Sequence, residues 1–187
     1  MISRSDAAVD ARLVRTRAGW CWIAGEGTLL KGSALPYATK KGAMESLRNA
    51  FPFHSLDSSC LRELQEALVA LFAGEGFRPR VKCDWSRVTS FQAAVYKALR
   101  RVRFGQIITY GELALRAGHA GAARGVGSAM ARNPFAPFVP CHRVVASGMT
   151  LGGFSAAGGL ITKRLLLNLE GHKLSETRVV TSAAQRR

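Results

Sequence analysis

A first half of strands and helix, followed by a mainly helical second half, is the fold class this chain of 187 residues predicts. Three observations carry it. Trp20-Cys21-Trp22-Ile23-Ala24 and Thr28-Leu29-Leu30 flank a Gly-Glu-Gly turn, the pattern of a hairpin of short strands. Two capping-box pairs, Thr89 with Gln92 and Thr109 with Glu112, each open a helical run in the second half. The charge balance also changes near residue 86, where the domain boundary is placed, dividing the chain into residues 1–85, 86–173 and a flexible tail from 174 to 187.

In chain order, residues 1–18 alternate charged with small residues and read as a loose lead-in to the hairpin. Leu61, Leu64, Leu68 and Leu71 recur at helical spacing, which predicts a helix from Ser58 to Phe72, capped by Asp57 or Ser58 and stopped by Gly74. Phe91, Ala94, Val95, Ala98, Leu99 and Val102 share one helix face, and Gly105 ends that run. Gln106-Ile107-Ile108 is a short extended link. A helix from Tyr110 to Ala117 follows, stopped by Gly118, and a further one from Ala122 to Arg132 ends at Asn133-Pro134. Two short helices joined by a glycine-containing turn have the outline of a helix-turn-helix.

With 48% apolar and 21% charged residues, the chain can bury a core and is not a disordered polymer. No apolar run approaches the roughly 20 residues of a membrane span, and the N-terminus carries no signal-like apolar stretch. Four scattered cysteines do not make a disulfide framework, which favours a reducing, cytoplasmic setting. The net charge is +15, but it is unevenly placed. Residues 1–85 hold 12 basic and 9 acidic groups, net +3, whereas residues 86–187 hold 15 and 3, net +12. That asymmetry points to a polyanionic partner for the second half, nucleic acid first.

Pro140-Cys141-His142-Arg143 places a thiol in an electropositive setting that favours the nucleophilic thiolate, although a buried structural cysteine fits the local sequence equally well. Zinc is a poorer reading, because no Cys-x-x-Cys or His-x-x-x-His spacing occurs. Neighbours on an extended strand point to opposite sides, so a turn or a bridging water has to link His142 to the Cys141 sulfur. The second half offers only Glu112, Glu170 and Glu176 to orient His142. Glu112 serves as a cap, which leaves Glu170, at the end of an apolar helix, as the best candidate.

Ile108-Thr109-Tyr110-Gly111-Glu112-Leu113-Ala114, Ala122-Ala123-Arg124-Gly125-Val126-Gly127, Asn133-Pro134, Pro140-Cys141-His142-Arg143-Val144-Val145 and Leu169-Glu170-Gly171-His172 occur in this order. Over residues 86–173 the chain resembles the O6-alkylguanine-DNA alkyltransferase family. The resemblance implies an N-terminal RNase H-like α/β domain and a helical C-terminal domain with a winged helix-turn-helix. It implies single-turnover transfer of the alkyl group from O6-alkylguanine, and from O4-alkylthymine, in duplex DNA to Cys141, with the target base flipped out. His142 would take the thiol proton through a water, Glu170 would orient His142, Tyr110 would donate to the flipped base, and Asn133 would brace the cysteine segment. Arg124 would replace the lost base in the stack, with small neighbours Ala122, Ala123 and Gly125 allowing close approach to the minor groove. Gln92 and Ser147 would contact phosphates. Ser155, Phe154, Val144 and Met130 would line the substrate pocket.

Some features depart from the family pattern. Phe154 stands where the family often has Tyr, Ala156-Ala157 look like two extra residues, and residues 1–85 lack the cysteine-and-histidine zinc cluster of some members. No cofactor or metal is expected, and the protein is expected to act as a monomer. A DNA-binding module that recognises alkylated bases without transfer is the alternative. The loop Gly152–Gly159, half glycine, suggests a mobile wall that admits adducts larger than methyl, unless Phe154 folds inward and fills the space.

Overall fold

The structure, a computed structural model, describes residues 9–52, 54–56, 59–74 and 81–180. The chain forms two compact units, Met1–Asp84 and Trp85–Arg187. Among the described residues no helix is long and apolar enough to cross a membrane.

The first unit is a mixed five-stranded sheet with helices. Strands β1 (Val9–Thr16), β2 (Gly19–Glu26) and β3 (Leu29–Ser33) are antiparallel. The short strands β4 (His54–Leu56) and β5 (Lys82–Cys83) add in parallel at the edges, giving the order β4-β1-β2-β3-β5. The expected hairpin is β2–β3. The expected loose lead-in is instead a strand from Val9, inside the sheet. Its buried positions Ala11, Val14 and Thr16 are not evenly spaced by two and sit beside Arg12 and Arg15, so the alternation of period two is faint in the sequence.

Helix α1 (Lys40–Ala50) was not expected at all. It buries only Ala43 and Leu47, one helical turn apart, too narrow a stripe to stand out. Thr39 caps it by accepting from the Gly42 N–H. Its inward side joins Ala11, Trp22, Ala24 and Phe51 in one apolar cluster. Ser46 Oγ receives both the Trp22 indole N–H at 3.0 Å and the Tyr37 hydroxyl at 2.8 Å. Helix α2 (Arg62–Ala73) begins later than expected, after a single 3₁₀ turn, and ends at Gly74 as expected. The proposed caps Asp57 and Ser58 lie outside the described residues.

In the second unit, α3 (Ser90–Leu99) and α4 (Tyr110–Arg116) both start with the anticipated capping boxes. Glu112 Oε2 accepts from the Thr109 N–H at 2.7 Å, and Thr109 Oγ1 accepts from the Glu112 N–H. Helix α3 stops at Leu99, before Gly105, yet Val102 remains buried beyond its end. Helix α5 (Ala123–Ala131) packs on α4, and Tyr96 of α3 donates its buried hydroxyl to Ala129 O at 2.7 Å. Two very short parallel strands, β6 (Ile108–Thr109) and β7 (Val144–Val145), pair Ile108 with Val144 and Thr109 with Val145. Helix α6 (Gly159–Leu169) closes the unit.

The tail expected to be flexible from 174 is ordered through Val180. β8 (Lys173–Leu174) and β9 (Val179–Val180) form a hairpin, with Val179 buried against Ile107, Val145, Leu151 and Leu167. Val179, the partly buried Leu174 and the Leu151 N–H donating to Thr177 O dock this otherwise polar segment. Residues 181–187 are outside the described residues.

The first unit makes a packing prediction. A Cβ at Gly32 would lie 2.7 Å from Phe51 Cε2 and 3.3 Å from Trp22 Cζ3, inside a filled cluster. Gly32→Ala should therefore lower stability by about 1–3 kcal/mol in urea unfolding. An unchanged midpoint would mean that the Phe51 ring yields freely.

Candidate active site

The parallel β6–β7 pair does the main positioning work. It sets the start of α4, with Tyr110, beside the chain that leaves Cys141. Cys141–Arg143 is a 3₁₀ turn rather than an extended segment, closed by the Arg143 N–H donating to Pro140 O at 3.0 Å. The turn replaces the alternation of a strand, and it sends Cys141 to a cavity while burying His142 completely. Asn133 braces the approach. Its Nδ2 donates to Val139 O at 2.7 Å, its Oδ1 accepts from the Phe135 N–H at 3.0 Å, and its side chain favours the ionised form of Cys141.

Behind the thiol, the carboxylate of Glu170 collects donors from three parts of the unit. His142 Nε2 lies 2.7 Å from Oε1, Arg143 reaches it through Nε and Nη2 at 3.0 and 2.8 Å, and the Gly105 N–H donates to Oε2 at 3.0 Å. Arg143 Nη1 also holds Val102 O at 2.8 Å. Burial alone would raise the Glu170 carboxyl, but His142, by charge when it is protonated and by its hydrogen bond, and after it the hydrogen bonds and charge of Arg143, bring it down to about 2.

His142 moves the other way. Burial lowers its pKa most, and Arg143 and Lys163 add to that, outweighing the pull of Glu170. The ring is therefore neutral at pH 7. Because a carboxylate can only accept, the single ring proton sits on Nε2. Nδ1 is left with its lone pair, buried and with no protein partner. This is the atom able to take a proton from Cys141. The thiol itself is pushed up by burial, against the opposing effects of Asn133, Lys163 and the backbone N–H groups of Cys141 and His142. It rests as a neutral thiol that ionises only as its proton leaves.

Cys141 lines a cavity of about 420 Å³ together with Tyr110, Gly127, Met130, Ala131, Gly153, Phe154 and Ser155. The volume suits a small-molecule-sized group. A second cavity of about 450 Å³ lies on the other side of Tyr110 and Gly127, lined also by Thr109, Gly111, Ala123, Arg124, Ala146 and Ser147. Burial raises the Tyr110 phenol, and a Cys141 thiolate raises it further, so the hydroxyl stays a donor.

Most of the expected site residues meet here, and several differ in detail. Tyr110, Cys141, His142, Asn133, Glu170, Met130, Phe154 and Ser155 converge on the first cavity or the groups behind it. Ser155 donates its hydroxyl to Ala131 O at 3.1 Å, tying the loop to the end of α5. Val144, expected on the pocket wall, does not line it. Its side chain is wholly buried and its carbonyl accepts from Lys163. Arg124 is exposed at the second cavity with Ala123 and Ser147, and Ala122 is the residue before α5. Gly125 also has a packing role. A Cβ there would come within 3.1 Å of Phe91 Cζ, so the glycine serves packing against α3. Gln92 spends its side-chain carbonyl on the Thr89 N–H.

Two residues carry more than the sequence reading assigned. Arg143 was part of the motif without a role, and it clamps Glu170. Lys163 was overlooked, although a lysine within Leu160-Ile161-Thr162-Lys163-Arg164-Leu165-Leu166-Leu167 is a signal of a buried or bridging cation. Cys21 is a poor nucleophile, with burial pushing its thiol up to about 12. Among the described residues no cluster of three or more His, Cys, Asp or Glu could hold a metal ion.

Residues 90–172 match the family model of the 6-O-methylguanine DNA methyltransferase DNA-binding domain. The chain is 44% identical over 110 residues to a methylated-DNA–protein-cysteine methyltransferase of Methanosarcina acetivorans, covering 59% of this chain and 69% of that one. A Haemophilus influenzae protein of the same description is 49% identical over 82 residues, which is 44% of this chain and 45% of that protein's length. Among solved structures, the Mycobacterium tuberculosis OGT in complex with DNA superimposes with a TM-score of 0.70 at 34% identity, covering 87% of this chain and 92% of that one.

The depressed Glu170 carboxyl has a consequence for stability. Its ionisation supports the fold fully above about pH 4.5, and that support fades as pH falls towards 2. Acid titration of unfolding should show a loss on the order of 3 kcal/mol over this window. Glu170→Gln should be less stable at pH 7 and lack that part of the pH dependence. An identical acid profile in the variant would contradict the assignment.

Proposed function

The chain belongs to the O6-methylguanine DNA methyltransferase family, and from that premise we propose that this DNA-repair methyltransferase takes the alkyl group of O6-alkylguanine in duplex DNA onto Cys141. The observation that carries the reading is the thiol at the cavity wall with a neutral His142, protonated on Nε2 by its bond to Glu170, directly behind it.

An alkyl carbon on a stacked base is out of reach of any side chain, so the nucleotide is extruded into the pocket at a cost of a few kcal/mol. Arg124, exposed on α5, fills the gap left in the stack, while Ser147 and the N-terminus of α3 at Gln92 hold phosphates. The Cys141 proton passes through a bridging water to His142 Nδ1. The thiolate attacks the alkyl carbon, the S–C bond forms and the C–O6 bond breaks. The electron pair leaves on the purine, where Tyr110 donates a hydrogen bond to the ring nitrogen that collects the charge. The proton held by His142 is the one the purine finally carries away.

The product is a thioether, which no group in the site can hydrolyse, so each molecule acts once. By the same reading O4-alkylthymine is a second substrate. One copy per lesion, in the reducing cytoplasm, is sufficient for the chemistry.

Incubation with a duplex containing O6-methylguanine should add one methyl group per molecule, mapped to Cys141 by peptide mass, with no turnover. Cys141→Ala should bind DNA and transfer nothing. An adduct on another cysteine, or many turnovers, would refute the reading. Arg124→Ala should slow transfer from duplex DNA about tenfold or more, because extrusion needs a few kcal/mol, while leaving reaction with free O6-benzylguanine nearly unchanged. Equal losses on both substrates would assign Arg124 to the fold instead.

A further inference from the structure

Lys163 lies on α6 with no exposed surface. Its Nζ donates to Val144 O at 2.6 Å and also to Leu151 O, and it sits 5.7 Å from the centroid of the Phe154 ring. Val144 is three residues after Cys141, and Leu151 leads directly into the loop whose Gly153, Phe154 and Ser155 line the pocket. One side chain thus ties the nucleophile's segment to the pocket wall.

The pairing is unusual in one respect. A buried ammonium is costly unless an anion accompanies it. Among the described residues no carboxylate is within ion-pair distance of Lys163; two neutral carbonyls and an aromatic face are its partners. The nearby group that can become an anion is Cys141, and each of the two favours the charged form of the other.

We propose that Lys163 is a positioning residue for the transfer: its buried ammonium, fixed by Val144 O and Leu151 O, supplies the positive field in which the Cys141 thiolate forms, and holds the pocket loop to that site. The inference rests on Cys141 being the acceptor. The other groups facing Cys141 do not replace this charge. Tyr96 on α3 and Tyr110 on α4 are neutral phenols that a thiolate makes harder to ionise, Asn133 is uncharged, and His142 is neutral. Burial draws the Lys163 ammonium down to about 8, so it is charged at neutral pH and loses its charge only above that.

The test is the pH dependence of Cys141 alkylation by free O6-benzylguanine, which needs no DNA. In Lys163→Met the rate at pH 7 should fall about tenfold or more, and the rise with pH should move up by about one unit or more, since a unit is a factor of ten. The gap from wild type should close at high pH. A loss equal at all pH values, or no loss, would overturn the proposal, because a merely structural lysine would not move the midpoint. If Lys163→Met does not fold, the wild-type lysine itself can be followed by NMR. As pH rises and the thiol ionises, the ammonium should persist to higher pH in wild type than in Cys141→Ala, which has no thiolate to form. An unchanged titration would overturn the proposal. Wild-type protein that leaves Cys141 unmodified at every pH would instead defeat the acceptor reading on which this one depends.

Discussion

The buried carboxylate of Glu170 is the constraint on which the second unit's chemistry depends. It sits at the end of α6 and accepts from the turn after α3, through Gly105, and from the His142-Arg143 pair. Three separate stretches of chain are thereby fixed to one point. Its negative charge also decides the chemistry. A carboxylate can only accept, so His142 must present its proton to Glu170 and its lone pair to the other side. Arg143 keeps the arrangement electrically affordable, since a lone buried carboxylate would protonate and release the histidine.

Around that point the site is divided by Tyr110. On one side is the cavity that holds the thiol, on the other the cavity lined by Arg124 and Ser147. Gly127 borders both, and a side chain there would meet the Tyr110 ring at 3.9 Å. One aromatic wall therefore separates a place for chemistry from a place on the surface where the net charge of +12 in residues 86–187 is available to a polyanion. Small residues on α5 serve two different ends. Gly127 borders both cavities, whereas Gly125 lets Phe91 pack.

Much of the second unit was legible because its signals are local. The capping boxes at Thr89 and Thr109 are satisfied within three residues, and they appear in the structure with both reciprocal bonds. The motif around Cys141 and the choice of Glu170 over Glu112 followed from the scarcity of carboxylates in that half. What escaped depends on distant partners. β1 is a strand because β2 and β4 flank it, not because of its own alternation. Val144 turns into the core rather than the pocket because β6 pairs with it. Lys163 is buried because two carbonyls far along the chain receive it, which no local pattern records. The 3₁₀ turn at Cys141 is one of the two links, a turn or a water, that the adjacency of Cys141 and His142 required.

The claim that carries the account is the state of His142: neutral, protonated on Nε2, with Nδ1 free to act as the base. Nitrogen-15 NMR of histidine-labelled protein reads both ring nitrogens directly across a pH titration. The account predicts that at pH 7 the His142 Nε2 shows the shift of a protonated ring nitrogen and Nδ1 that of an unprotonated one, a state that persists below the usual histidine pKa of about 6.5. An imidazolium at pH 7, or a proton on Nδ1, would contradict it, because His142 could then not accept the proton of Cys141.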